Sequence, residues 1–366
     1  MMMKERDVLL AVHEIEGVDW ETIEKIADAF PDFTALLDKP AAARIAGAGV
    51  PTELAAKIDA LLTNESIAGK LRFYESRGVA PITFFDTAYP PWLRYMYRPP
   101  WVLYAQGDLE LLQRASVAVV GSRHPTAYGR EVAGWFGAEL AAAGVPVVSG
   151  LARGVDSYAH AGALRTTGAT IAVLGNGLNV VYPPEHHALQ RAIASKGIVV
   201  TEYAWNAKPS KLTFPWRNRI IAGIACATLV VEAAAKSGSL QTADYALKHG
   251  RDVFGVPGHI TSAKSAGVYG LIRDGAKLAL SPAELLEEIG QRPGTSAAPA
   301  RAVDTAGLTP EEAELVAVMG GEAMTIDEMI ARTGHSFGHL HTVLLSLLVK
   351  NRIRALPGSQ YIVKVN

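Results

Sequence analysis

TEYAWNAKPSKLTFPWRNRIIAGIACATLVVEAAAKSGSLQTADYALKHGRDVFGVPG, residues 201–258, carries strand, helix and charge signals in one continuous run. Its middle, TLVVEA (228–233), is a short apolar run of the kind that forms a strand buried on both faces of a parallel sheet. SGSLQTA (237–243) then opens an amphipathic helix, and DVFGVPG returns as a second strand. Strand, helix and strand of these lengths imply a right-handed crossover. The same stretch is chemically lopsided. Between Tyr203 and Val231 there is no Asp or Glu, while Lys208, Lys211, Arg217 and Arg219 fall there beside Trp205, Phe214 and Trp216. Cations answer phosphates and an aromatic face stacks on any base, so the mixture suits a charged polymer with flat bases. The plainer alternative makes the three aromatics ordinary core and pairs Arg217 or Arg219 with Glu202 or Glu232.

Upstream of this run the alternation continues. SVAVVG, VPVVSG, TIAVLG and IVVTE, from Ser116 onward, are further strand candidates separated by helix-sized segments such as YGREVAGWFGAELAAAG. The expected fold class is therefore α/β, a doubly wound, mostly parallel sheet over residues 111–291. Residues 1–65 show short helical patterns broken by Gly and Pro, which predicts a small all-α domain. Within it, IAGAGVPTELAAKI has the look of a helix-hairpin-helix (SAM-like) module. A bridging segment, 66–110, holds Pro90, Pro91, Pro99 and Pro100, so it cannot be one long helix; its Tyr and Trp residues are expected to cover one edge of the next domain. Residues 292–307 read as a Pro, Gly, Ala and Ser linker. Residues 308–366, three helices and a hairpin around Pro357-Gly358, have the outline of a winged helix. Its groove-facing helix, 336–350, is mostly apolar, with His339, His341 and bases only near its end, which favours a protein contact over duplex reading.

Composition narrows the function classes. A chain of 366 residues, 49% hydrophobic and 19% charged, can bury more than one core. The formal net charge is -1, so a polyanion site must be a local patch. Residues 1–40 hold ten acids against four bases, so the N-terminal part repels phosphate while the centre gathers it. The single cysteine, Cys226, allows no internal disulfide. No segment reaches the apolar length of a membrane span and the start, MMMKERD, lacks an apolar signal core, so a cytoplasmic protein is expected.

In an open parallel sheet, ligands sit beyond the carboxyl ends of the strands. Those ends read Gly121-Ser122-Arg123, Ser149-Gly150-Leu151-Ala152-Arg153-Gly154, Gly175-Asn176-Gly177, Glu202-Tyr203 and Glu232. Glycines permit close backbone approach, Ser and Arg equip a site for oxyanions, and helices opening near Gly154 and Gly238 add free N–H donors. Neither GSRHPTAYG nor GNGLNV fits a dinucleotide fingerprint. No Walker motif, no nucleophile elbow around Ser122, Ser149, Ser237 or Ser239, and no metal-ligand histidine spacing is present. Asp156 reads as a residue that caps or orients the following helix, or that pairs with Arg153. Neither a catalytic residue, a metal nor a cofactor is expected.

GSR at 121, SGLARGVDSYAH at 149, AVLGNGLNVVYPPEH at 172, TEY at 201, FPWRNRIIAG at 214, LVVEAAAKSGSLQTADYALKHGRDVFGVPG at 229 and LIRDGA at 271 together resemble the DNA-processing protein A (DprA, also called Smf) family. The resemblance covers roughly residues 80–280. It implies a Rossmann-like domain that binds single-stranded DNA, a homodimer, and a non-enzymatic role in loading the recombinase RecA during natural transformation. By motif, the DNA contacts would be Gly121, Ser122, Arg123, Lys211, Phe214, Arg217, Asn218 and Arg219, with the turn Ser237, Gly238, Ser239 as support. Ser149, Gly150, Arg153, Gly154 and Lys208 complete the candidate single-strand site. YPPEHH departs from the family pattern by offering Glu185, His186 and His187 in place of a base or Asn, and Arg153, Lys208 or Arg191 would then substitute. The apolar faces within 240–247 and 271–280 are candidates for the dimer contact.

Two rival readings remain. A related Rossmann-like group, the LOG-type phosphoribohydrolases, resembles PGGxGTxxE at the corresponding turn; KSGSLQT here puts Thr242 at the catalytic glutamate, leaving Glu232 as the remaining acid. A transcription regulator would act through the winged helix, whose poorly basic recognition helix argues against it.

Overall fold

The computed structural model describes residues 3–290, 308–319, 324–350, 352–356 and 360–363. The chain forms two compact units, Gly69–Ser296 and a second made of Met1–Ala68 with Ala297–Asn366. The predicted linker 292–307 and the Pro357-Gly358 turn lie outside the described residues.

Five helices open the chain: α1 (Glu5–His13), α2 (Trp20–Ala29), α3 (Ala42–Gly47), α4 (Thr52–Leu61) and α5 (Asn64–Glu75). Their apolar stripes bury Val8, Leu9, Ile23, Ile26, Ile45 and Ile58. Asp19 caps α2 by accepting from the Thr22 N–H at 2.9 Å, which satisfies an otherwise orphaned helix donor.

Nine strands form one sheet: β1 (Ala80–Thr83), β2 (Val102–Gly107), β3 (Val117–Val120), β4 (Val147–Ser149), β5 (Thr170–Val173), β6 (Ile198–Thr201), β7 (Ala227–Val230), β8 (Asp252–Gly255) and β9 (Lys277–Leu278). Their spatial order is β1-β2-β6-β5-β4-β3-β7-β8-β9. From β6 to β9 all pairings are parallel. All six predicted strands are present, and every residue of β3 to β7 is buried because helices cover both faces. Those helices are α6 (Ala127–Ala142), α7 (Val155–Leu164), α8 (His187–Lys196), α9 (Thr213–Ile224), α10 (Ser239–Lys248), α11 (Ala266–Arg273) and α12 (Pro282–Gly290). The strand sequence runs outward from β3 to β6, then returns to place β7 on the other side of β3. That reversal opens a crevice at the strand ends.

The expected bridging segment does more than cover an edge. It supplies β1 and β2, which extend the sheet antiparallel beyond β6, with Tyr104 opposite Thr201. Between Pro100 and the next turn, VLYAQG contains no proline, so each of its N–H groups can join a ladder. Its aromatics, Phe84, Tyr89, Trp101 and Tyr104, are buried.

The C-terminal residues form α13 (Pro310–Met319), β10 (Met324–Thr325), α14 (Ile326–Thr333), α15 (Phe337–Val349), β11 (Ile353–Leu356) and β12 (Gln360–Val363), with sheet order β10-β12-β11. Three helices on a small antiparallel sheet are the winged-helix arrangement expected. Leu315, Val316, Met319, Leu340, Leu344 and Leu347 make its core. Glu312, at the start of α13, accepts from the Thr309 N–H at 2.7 Å, the Ser346 hydroxyl at 2.6 Å and the Lys350 ammonium at 2.6 Å. Those donors, Lys350 first, hold its carboxyl down to about 2.

Candidate nucleic-acid interface

An open cleft lies beyond the carboxyl ends of β3, β4 and β5, lined by Arg123, Gly150, Arg153, Asn176, Tyr182, Phe214 and Arg217 among others. Its floor is built around the loop after β4. Asp156, in the first turn of α7, accepts from the Gly150 N–H at 3.1 Å and the Ala152 N–H at 3.3 Å. Between them Leu151 adopts φ 54°, a left-handed conformation that costs about 1–3 kcal/mol for a residue with a Cβ and persists where its surroundings enforce it. Asp156 is thus the orienting residue the sequence suggested. Burial pushes its carboxyl up, and Arg217 pulls against that.

Arg217 projects from α9 into the same floor. Its guanidinium donates to the carbonyl of Gly150 at 2.7 Å and to that of Val173, tying the ends of β4 and β5 together. It is 4% exposed, and burial pushes it down to about 10, opposed by Asp156. A Cβ on Gly150 would stand 2.6 Å from the Arg217 Cζ, so only glycine lets the guanidinium reach the strand end. Gly154, at φ 81°, has the Arg123 carbonyl carbon 2.7 Å from where a Cβ would be, which packs the β3 and β4 loops against each other.

Above the floor the wall is aromatic and cationic. Arg123 is exposed, its guanidinium 5.8 Å from the centre of the Phe214 ring, within cation–π range. Phe214 in turn lies 5.0 Å from Tyr182, the two rings tilted by 36°. Asn176 steadies the Tyr182 loop by donating to the Val180 carbonyl at 2.6 Å. Sequence reasoning passed over Tyr182 as a site residue. Its signal was an aromatic next to Pro183-Pro184 at the end of a strand-end loop.

The remaining candidates divide. Lys208 and Lys211 are exposed and without an ion pair among the described residues. Ser237 and Ser239 share a hydroxyl contact of 2.8 Å around exposed Gly238, whose carbonyl lies 3.5 Å from Asn218 Nδ2. Gly121 packs against Val155, and the Ser122 N–H is spent on the Glu232 carbonyl at 2.7 Å. Three expectations give way to the geometry, the first being Arg217 itself, which is buried and spent on backbone carbonyls instead of being offered to a phosphate. Ser149 is fully buried and donates its hydroxyl to the Val119 carbonyl at 2.7 Å, so it offers nothing to a phosphate. Arg219, 2% exposed, leaves the cleft altogether: it is ion-paired with Glu202, lies 4.4 Å over the Trp216 ring, and donates to the Arg98 carbonyl at 2.8 Å. The cause is helical. Residues two apart point to nearly opposite sides of a helix, so Arg217 and Arg219 cannot serve one site.

Arg153 stays at the cleft but is ion-paired with Glu185, each side chain half exposed. Glu232, the acid left to the hydrolase reading, is 4% exposed and holds Thr126, the N-cap of α6, by accepting from its N–H at 2.8 Å and its hydroxyl at 2.5 Å. His160 is buried with Nδ1 2.7 Å from the Thr170 hydroxyl, and burial and Arg217 push it down to about 3. No group of side chains that could hold a metal, and no helix long and apolar enough to cross a membrane, occurs among the described residues.

Fold and cleft together define a Rossmann-like α/β protein with a cleft at its strand ends lined by arginines and aromatics, and with a winged helix as a separate part of the chain. Comparison with known proteins makes the class specific. Residues 80–290 match the family model described as DNA recombination-mediator protein A, and residues 297–359 match the DprA winged helix domain. The chain is 40% identical over 223 residues to the DNA processing protein DprA of Bacillus subtilis, covering 61% of this chain and 75% of the relative. Streptococcus pneumoniae DprA is similar in structure, with a TM-score of 0.69 at 32% identity over 78% of this chain and 99% of that one. Helicobacter pylori DNA processing protein A, whose structure describes a single-stranded DNA binding mode, superposes at a TM-score of 0.53 and 29% identity, over 58% of this chain and 95% of that one. The chain belongs to the DNA recombination-mediator protein A (DprA/Smf) family.

Proposed function

We propose that this protein is a cytoplasmic single-stranded-DNA-binding recombination mediator. It protects incoming strands during natural transformation, loads RecA, and works as a homodimer without a catalytic step or a cofactor. One observation carries the reading: an exposed arginine, Arg123, with no carboxylate partner among the described residues, stands over Phe214 at the mouth of a cleft whose floor is pre-tied by Arg217. Phosphates are held at Arg123, with Lys208 and Lys211 following the backbone, and bases stack on Phe214 and Tyr182. The single-strand binding of the Helicobacter pylori relative supports it.

The test is a fluorescence-anisotropy titration of the full chain with labelled oligothymidine and a matched duplex across a salt series. The single strand is expected to bind more tightly, with affinity falling by about 0.7 logarithmic units per tenfold salt for each phosphate neutralised. Binding to neither would remove this function and leave the fold standing.

A further inference from the structure

Three arginines line the cleft, and they are not equally available. Arg217 is buried and spent on two backbone carbonyls. Arg123 has no carboxylate partner among the described residues. Arg153 is held by Glu185, from the short turn Pro184–His186 that follows the lining residues Tyr182 and Pro183. A second contact fixes that turn against the loop after β4: His186 Nδ1 lies 2.9 Å from the Leu151 carbonyl oxygen. Arg153 holds the Glu185 carboxyl below its ordinary range, and Glu185 raises Arg153 in return. At neutral pH, therefore, a carboxylate stands on the rim of a cleft that otherwise gathers cations.

We infer that Glu185 is a specificity-determining residue, an internal competitor that occupies Arg153 until a second phosphate of an already anchored strand displaces it. The inference rests on the function proposed above. A carboxylate and a phosphodiester compete for the same guanidinium fork. An exposed ion pair is weak and screened by salt, so it yields to a competitor present at high local concentration. A strand anchored at Arg123 presents its neighbouring phosphate at such a concentration, whereas a lone anion must compete from solution. Glu185 thereby biases the cleft toward polymers and away from free phosphate.

The experiment compares the full-length parent, Glu185→Gln, Arg123→Ala and the double variant Glu185→Gln/Arg153→Ala. Each is titrated with labelled oligothymidine over a salt series, with inorganic phosphate as competitor. Glu185→Gln is expected to bind about three- to tenfold more tightly at low salt, with the gain shrinking as rising salt screens the Arg153–Glu185 pair of the parent. Inorganic phosphate should lower the strand affinity of this variant by a larger factor than that of the parent, because it can occupy the freed Arg153, and adding Arg153→Ala should cancel the gain. Affinity and slope equal to the parent's, while Arg123→Ala still weakens binding, would overturn the inference and leave the proposed function intact. So would a gain that survives Arg153→Ala. A parent that does not bind oligothymidine brings down the function and the inference together.

Discussion

The carboxyl ends of β3 to β5 and the solvent face of α15 are the two places where this chain's folds ordinarily meet nucleic acid, and they are equipped in opposite ways. At the strand ends an exposed arginine stands over an aromatic pair, with two exposed lysines on the loop that leads into α9. Along α15 there is no Lys or Arg; the exposed side chains include Phe337, Leu345 and Val349, and the nearest cation, Lys350, is engaged by Glu312. A fold supplies the platform, and the free charges on it decide whether a polyanion is held.

That contrast can be broken at several points. Arg217→Met should have the largest effect: it strips two strand-end carbonyls of their donor and leaves Asp156 buried without its cation. A loss of about 3–5 kcal/mol is expected for such a break, read by calorimetry as a lowered unfolding temperature of the full chain. Phe214→Ala should cost about 1–3 kcal/mol in oligothymidine affinity for the base it stacks, with the salt slope unchanged. Arg123→Ala should weaken binding about tenfold and flatten the slope by about 0.7, the reverse signature. If those two variants gave the same slope, the division between stacking and charge would fail.

The winged helix is open to a pH test. Glu312 has a folded pKa of about 2 against an ordinary 4.5, so the folded state releases its proton more readily. Its contribution is complete above about pH 4.5 and is lost as pH falls toward about 2. The protection of amides in α13 and α15, taken relative to their intrinsic exchange rate at each pH, should fall over that window, and Glu312→Gln should reduce that fall. The smallest effect belongs to α15: the pair Phe337→Ala and His341→Ala should leave oligothymidine affinity within about 0.5 kcal/mol of the parent. A larger loss would make α15 part of the DNA path.

Much of the architecture was legible because apolar four-residue runs between helix-sized segments have few other interpretations. β1 and β2 were not, since an aromatic, proline-punctuated stretch gives no alternation and its pairing with β6 depends on residues almost a hundred positions away. In the site, charge type was legible but commitment was not. Arg123, Arg153, Arg217 and Arg219 look alike in sequence; one is exposed, one is latched by Glu185, and two are buried against carbonyls or a carboxylate. Only the two-residue separation of Arg217 and Arg219 announced that they must part company. Ser149 misled for a related reason: a serine ending a buried strand has backbone acceptors closer than any ligand.

The tie that Arg217 makes between Gly150 and Val173 has a kinetic meaning. With the strand ends already fastened, no loop has to fold before a strand can dock, so encounter should be fast and governed by the long-range pull of the exposed cations. Under the proposed function, residence time would be set separately, by how long bases stay stacked on Phe214 and Tyr182. Such a protein would catch a passing strand by charge and keep it by contact, and the two could be tuned by different residues.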